Sequence, residues 1–324
     1  MPNGENRPLA TIVIATHDRA HLLERLMASL EGQTVPRRAF EVIVVDDGST
    51  DSTASVLERL ATTSAGRFRA LAAPRSRGPA AARNIGWRAA EGALVAFTDD
   101  DCVPEPGWLA AGLRAVASGS GIVMGRTRAL EEADGYGEPF SRTMEVDRED
   151  GRYPTCNVFY LREALTRAGG FDEAFSYACG EDTDLAWRVK QLGFASAFAA
   201  DAIVIHDVRP PSFATFLKER RRFADQILLV KRHPHLRRLF YRRYFYQRSH
   251  VHAIAALALI AVAGSGLWPA ATLLPIVWLD RFRHTRLRGA WGRRALVAGE
   301  LLLGDLWELF VFCYASLRYK TLLI

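Results

Sequence analysis

The chain has 324 residues, 49% of them hydrophobic and 24% charged, which is enough for a substantial core plus a second module. Its net charge of +6 hides an asymmetry: residues 1–208 carry 22 basic and 30 acidic side chains, whereas residues 209–324 carry 20 basic and 6 acidic. The acidic first part argues against a nucleic-acid-binding enzyme core, and the basic tail points to an anionic surface such as phospholipid, with nucleic acid left open for the tail alone.

Strand and helix signals alternate from the start. Leu9 to Ala15 is a β-rich apolar run, Arg19 to Leu30 carries apolar residues at helical spacing, and Phe40 to Val45 is a second strand ending in Asp46-Asp47-Gly48. Ser49-Thr50-Asp51-Ser52 supplies turn and cap chemistry for a helix through Leu60, Pro79 to Glu91 predicts another helix, and Ala93 to Phe97 a strand. Such alternation implies a mainly parallel sheet covered on both faces. From Leu130 to Arg152 the chain is polar and punctuated by Gly135, Gly137 and Pro139, a composition that suits a long loop over a site. Leu161 to Ala168 and Thr183 to Leu192 resume helical spacing, and Ile203-Val204-Ile205 is a short strand ending at His206.

Regular α/β signals stop near Val208. Phe213 to Val230 predicts a basic amphipathic helix within a connecting region, residues 209–250. Val251 to Leu279 then runs without Asp, Glu, Lys or Arg, broken at Gly264-Ser265-Gly266 and Pro269 and flanked on each side by arginine clusters. Both flanks on the cytoplasmic side would make a shallow hairpin, since each leg is short for a crossing that needs ~20 apolar residues. Leu296 to Leu317 is apolar too, with Glu300, Asp305 and Glu308 on one side of the wheel: an interfacial helix, or a span whose acidic side packs on its neighbours. A buried helix in a soluble helical domain is the alternative for this tail. The N-terminus has neither a basic start nor an apolar stretch, and the four cysteines show no zinc or redox spacing, so the first part is expected to stay reduced at the cytoplasmic face of the membrane.

Thr98-Asp99-Asp100-Asp101 concentrates the chemistry. Three consecutive carboxylates at a strand end repel one another and need a cation, and hard oxygen ligands suit Mg²⁺ or Mn²⁺ holding a diphosphate. Alternation along an extended segment sends Asp99 and Asp101 to one side as metal ligands, with Asp100 turned to ribose hydroxyls. The guanidinium of Arg83, in a run of small residues, suits a diphosphate or a base.

Four segments, in this order, resemble the inverting family 2 glycosyltransferases of GT-A fold over roughly residues 9–208: Ile14-Ala15-Thr16-His17-Asp18-Arg19; Val44-Val45-Asp46-Asp47-Gly48-Ser49-Thr50-Asp51; Ala82-Arg83-Asn84-Ile85-Gly86 leading to the acid triplet; and Gly169-Gly170-Phe171-Asp172-Glu173 leading to Gly180-Glu181-Asp182-Thr183-Asp184-Leu185. The resemblance implies a catalytic domain over 1–208 that transfers a sugar from a UDP- or dTDP-sugar to a hydroxyl acceptor, lipid-linked or a growing glycan. It implies that Ala15, Thr16 and His17 meet the nucleotide, that Asp47 accepts from a base N–H, and that Asn157 faces the sugar. His206 would complete the metal site, Asp182 would be the base and Glu181 its support. His17 stands where family members usually carry an aromatic residue. Residues 251–324 would be hydrophobic membrane-associated helices. A nucleotidyltransferase would show a glycine- and lysine-rich phosphate loop, which Ala15-Thr16-His17-Asp18-Arg19 lacks. A non-catalytic membrane scaffold is disfavoured by intact acids at positions 99, 101 and 182.

Overall fold

Runs of β-branched residues near the N-terminus build the centre of one eight-stranded sheet. The computed structural model describes residues 7–63, 67–133, 136–209, 211–283 and 291–323. The strands are β1 (Ala10–Thr16), β2 (Phe40–Asp46), β3 (Arg67–Ala72), β4 (Leu94–Phe97), β5 (Cys102–Pro104), β6 (Ile122–Ala129), β7 (Val158–Leu161) and β8 (Ser196–His206), in spatial order β3-β2-β1-β4-β7-β6-β8-β5. The first four pair in parallel, as do β6 and β8. β7 runs antiparallel to both β4 and β6, and β5 antiparallel to β8. The sheet is therefore mixed, and the expected parallel arrangement holds for its first half.

Helices α1 (Ala20–Glu31), α2 (Thr53–Thr63), α3 (Pro79–Ala89), α4 (Trp108–Ala117), α5 (Arg162–Ala168) and α6 (Glu181–Gln191) flank this sheet. α1 buries Leu22, Leu23, Leu26, Met27 and Leu30, a three-to-four spacing that lays one stripe against Ile12, Ile14 and Val42. Each such side chain contributes roughly 1.5–3 kcal/mol on burial, so the periodicity decides which way the helix faces. On the opposite face, α3 packs Ala80 and Trp87 beside Val13 and Val95. A Cβ on Gly86 would stand 2.4 Å from Val13 Cγ1, so the small residue is what lets α3 come this close.

The paired ends of β1 and β2 bring Thr16 level with Asp46, and β4 stops at Phe97 opposite Val13, so that the acid triplet follows on the same side of the sheet. Open α/β sheets bind ligands at such carboxyl ends. Asp99 is not on an extended strand: the amide of Cys102 donates to the carbonyl of Asp99 at 3.2 Å and closes a tight turn. Between 130 and 152 no helix or strand forms among the described residues, apart from single bridges such as Thr127 with Val146.

Two compact units divide the chain: residues 1–131 with 143–207, and residues 132–142 with 208–324. The second contains α7 (Phe213–Arg220), α8 (Asp225–Arg232), α9 (Arg248–Gly264), α10 (Leu274–Arg283) and α11 (Trp291–Tyr319). The single helix expected over 213–230 is two, divided by a 3₁₀ turn at Arg221–Ala224. α9 ends at Gly264, a 3₁₀ turn over Trp268–Leu273 reverses the chain, and α10 packs back on α9. Among the described residues no helix is long and apolar enough to cross a membrane. The acidic side of α11 faces its neighbours. Glu308 pairs with Arg220 at 2.6 Å and with His250 Nε2 at 2.9 Å, and Asp305 accepts from the Ser249 hydroxyl at 3.0 Å.

Candidate active site

The acid triplet is met by two arginines from different elements. Arg83, buried on α3, donates to Asp99 Oδ1 at 2.8 Å and to Glu181 Oε1 at 3.0 Å. Arg19, at the start of α1, donates through Nη1 to Asp100 Oδ1 at 2.5 Å and to Asp101 Oδ2 at 3.2 Å. Burial works against the Arg83 charge, but Asp99 and Glu181 outweigh it and hold its pKa above the ordinary value. Burial pushes Asp100 up to about 6 despite Arg19, although the Thr16 hydroxyl donates to its Oδ2 at 2.8 Å.

The three carboxylates need a cation, and one comes from the chain itself: Arg19, to which the sequence motif assigns no role. Its aim comes from Asp18, a non-glycine residue at φ 53 whose carboxylate accepts from the amides of Thr50 and Asp51 at 2.6 and 3.2 Å. The signal was present: an arginine just past one strand end, with unpaired acids expected at the next.

Alternation does not govern the triplet, because Asp99 lies at the start of a turn. Asp99 goes to Arg83, whereas Asp101 turns Oδ1 towards His206 Nε2, 3.6 Å away. Among the described residues, the group of His, Cys, Asp and Glu close enough to hold a metal ion is Asp101, Cys102 and His206, with ligand atoms within 4.8 Å of one another. Asp99 is not in that group, a correction to its expected place beside Asp101. His206 Nδ1 donates to the carbonyl of Asp207 at 2.8 Å, which orients the ring so that Nε2 is turned towards the acid. Burial pushes the Cys102 thiol well up, and Mg²⁺ and Mn²⁺ prefer oxygen and imidazole ligands to soft sulfur. A carboxylate oxygen and an imidazole nitrogen remain, a donor set that fits Mn²⁺ or Mg²⁺.

Asp182 lies in the first turn of α6, one residue after its start at Glu181. Its Oδ1 accepts from the Thr183 amide at 2.6 Å. Burial, and then the neighbouring Glu181 charge, hold Asp182 above the usual carboxylate range. Burial also raises Glu181, which Arg83 partly offsets. α6 itself is fixed by Arg188, which pairs with Asp184 at 2.8 Å and donates to the carbonyls of Ala168 and Gly170.

Asp47 is buried and its carboxylate ties β2 to the turn before α3, accepting from Ser76 Oγ at 2.9 Å, Arg77 N at 3.0 Å and Gly78 N at 2.8 Å. Gly48, at φ +75, lets the two segments come this close, since a Cβ there would lie 2.9 Å from Ser76 N. His17 stands half-exposed beside it, with Nδ1 donating to the Asp47 carbonyl at 3.0 Å. Ala15 lies on β1 between Ile14 and Thr16. Asn157 is turned away from the strand ends. Its amide nitrogen donates to the carbonyls of Arg126 and Ala202 at 2.7 and 2.9 Å, and its oxygen accepts from Trp108 Nε1 at 2.8 Å, so it bridges the inner sheet to α4 instead of facing a sugar. Arg77 pairs with Glu173 at 2.5 Å. Asn84 emerges as a fixing residue, donating to the Phe171 carbonyl and Glu173 and accepting from Trp87 Nε1 and the Phe171 amide, all within 2.9 Å.

The profile of glycosyl transferase family 2 matches residues 11–175, about half of the chain, and that of glycosyl transferase family group 2 matches residues 98–316. Glycosyltransferase AglE of Haloferax volcanii is 28% identical over 246 residues, covering 72% of this chain and 78% of that protein. The pre-mycofactocin glycosyltransferase of Mycobacterium tuberculosis is 34% identical over 222 residues, covering 64% of this chain and 44% of that protein, so the chain matches less than half of that relative's length. Among solved structures, the mannosyltransferase PcManGT from Pyrobaculum calidifontis, in complex with GDP-Man and Mn²⁺, is similar in fold with a TM-score of 0.62 at 23% identity over 95% of this chain and 90% of that one. Staphylococcus aureus TarS 1–349 in complex with UDP follows at TM-score 0.51 and 22% identity, over 68% and 65%. With the motifs in order and both profiles matching, the chain is a glycosyltransferase and belongs to glycosyl transferase family 2.

Proposed function

We propose that residues 1–208 transfer a sugar with inversion from a nucleotide-diphosphate donor to a hydroxyl acceptor, and that the acceptor is lipid-linked or a growing glycan at the cytoplasmic face of the membrane. The observation that carries the metal-dependent reading is Asp101 Oδ1 facing His206 Nε2 at 3.6 Å beside a strand-end acid turn. Asp101 and His206 would hold Mn²⁺ or Mg²⁺. Such an ion supplies charge neutralisation for a leaving diphosphate. Arg19 fixes the orientation of Asp100 and Asp101, and Thr16 that of Asp100. Thr16, His17 and the turn tied by Asp47 line the nucleotide side.

Inversion needs a group that takes the acceptor hydroxyl proton as the nucleotide leaves from the opposite face. Asp182 has the placement and the proton affinity for this: burial raises its pKa towards that of a neutral-pH base, and α6 holds it rigidly. Glu181 contributes by its adjacent charge, with Arg83 binding both Glu181 and Asp99. Bound nucleotides differ among the similar folds, with UDP in TarS and GDP-Man in PcManGT. The donor is therefore tested directly, by thermal stabilisation with UDP-, dTDP- and GDP-sugars in Mn²⁺ or in chelator. Stabilisation by one class only when Mn²⁺ is present supports the reading, and nucleoside-diphosphate binding that ignores the metal refutes it.

A further inference from the structure

α11 is amphipathic the wrong way round for water. Its acids turn inward, with Asp305 and Glu308 buried against Ser249, His250 and Arg220. Its outward ridge is Leu296, Leu303, Phe310 and Leu317, a strict seven-residue repeat along one side, each between 56% and 80% exposed. The α9–α10 hairpin repeats the pattern. Ile254, Leu257 and Ile260 of α9 and Ile276 of α10 are exposed, and the turn between the helices presents Leu267 and Trp268, the latter 72% exposed. Soluble proteins rarely expose apolar side chains in such continuous sets.

Charge identifies what covers this surface. Arg238, Arg242, Arg243 and Arg248 are exposed in the stretch leading into α9, together with the exposed Tyr244, whose ring carries the Arg237 guanidinium 5.3 Å from its centroid. A cationic, tyrosine-bearing stretch next to an apolar hairpin matches the headgroup and hydrocarbon zones of an anionic bilayer. A second copy of the chain would bring the same arginines together. α9, at about 26 Å for 17 residues, is shorter than the ~30 Å hydrocarbon core, a length that suits entry from one side and return, not a crossing.

We propose that the outward faces of α9, α10 and α11 form a lipid-docking surface that seats the second unit in an anionic leaflet, with the Trp268 turn deepest and the residue 237–248 arginines at the headgroups. This deepens the membrane placement proposed above and rests on it. The test is made without donor or acceptor, so its failure leaves the sugar-transfer reading standing.

Full-length protein, freed of detergent in the presence of vesicles, is floated on a density gradient with phosphatidylcholine alone or with phosphatidylglycerol added. The protein is expected to float, more completely with phosphatidylglycerol, and to lose at least tenfold in vesicle affinity in L267S/W268S. Lipids brominated on their acyl chains should quench a tryptophan signal that is missing in W268F. The proposal is overturned by wild-type protein that remains unbound in both vesicle types, or by a monodisperse dimer that dissociates in L303S/F310S while neither protein floats. Donor-dependent thermal stabilisation of L267S/W268S equal to wild type shows that this variant is folded, so its lost binding counts as surface chemistry.

Discussion

The two units use buried charge in opposite settings. In the first, Asp100 and Asp101 are buried just past the end of β4 and Glu181 at the start of α6; Arg19 answers the two aspartates and Arg83 the glutamate. In the second, Asp305 and Glu308 sit inside a helical cluster while leucines point outward along α11. Paired charge at an open strand edge is arranged for a ligand. Paired charge inside a helix cluster, with apolar residues outside, is arranged for an apolar surrounding. The direction in which a unit turns its polar groups reports what it works against.

The sharpest way to break this comparison is Asp182→Asn. Loss of a general base removes on the order of 10²–10⁴ in kcat, with donor binding retained. The pH sign follows from the raised pKa: Asp182 must be ionised to accept a proton, so the wild-type rate falls on the acid side at a higher pH than an ordinary carboxylate would give. The folded state penalises that ionised form, so the variant's Tm should equal or exceed wild type at neutral pH. A variant that retains wild-type transfer assigns the proton to another group.

Arg19→Gln comes next. It leaves Asp100 and Asp101 without their shared cation, and with Arg19 partly solvated the cost should be about 1–3 kcal/mol in urea denaturation. No loss of stability would mean that the pairing is incidental. Asn84→Ala removes four hydrogen bonds, two of them tying the Phe171 backbone to α3, and should lower stability by about 1–3 kcal/mol. An unchanged midpoint would show that this backbone is held elsewhere. The smallest effect belongs to the second unit: Trp268→Ser should leave stability in detergent within about 0.5 kcal/mol and nucleotide-dependent stabilisation unchanged. A large loss in either would contradict the independent roles given to the two units.

Much of the site was legible because strands ending in acids mark themselves: β1, β2 and β4 and the residues past them were read from apolar runs and their polar ends. The shorter strands β5 and β7 and the Gly- and Arg-bearing β6 carry too little alternation to register, and their pairing makes the sheet mixed. Asp99 was misplaced because a turn, not a strand, follows β4. Asn157 was misread because burial is set by tertiary packing against α4 and β8, which no local pattern encodes. Arg19 was passed over because the cation was sought outside the chain. In the tail, the hairpin break at Gly264-Ser265-Gly266 was visible as a composition change, but the inward turn of Asp305 and Glu308 depended on partners some sixty to ninety residues away.

The most direct test is calorimetric titration of UDP, dTDP and GDP into wild type, Asp101→Ala and His206→Ala, each with Mn²⁺ and with chelator. The account predicts that wild type binds one of these nucleotides at least tenfold more tightly with Mn²⁺, and that both variants lose this difference while remaining folded. Equal affinity in Mn²⁺ and chelator for wild type, or an intact metal effect in both variants, would contradict it.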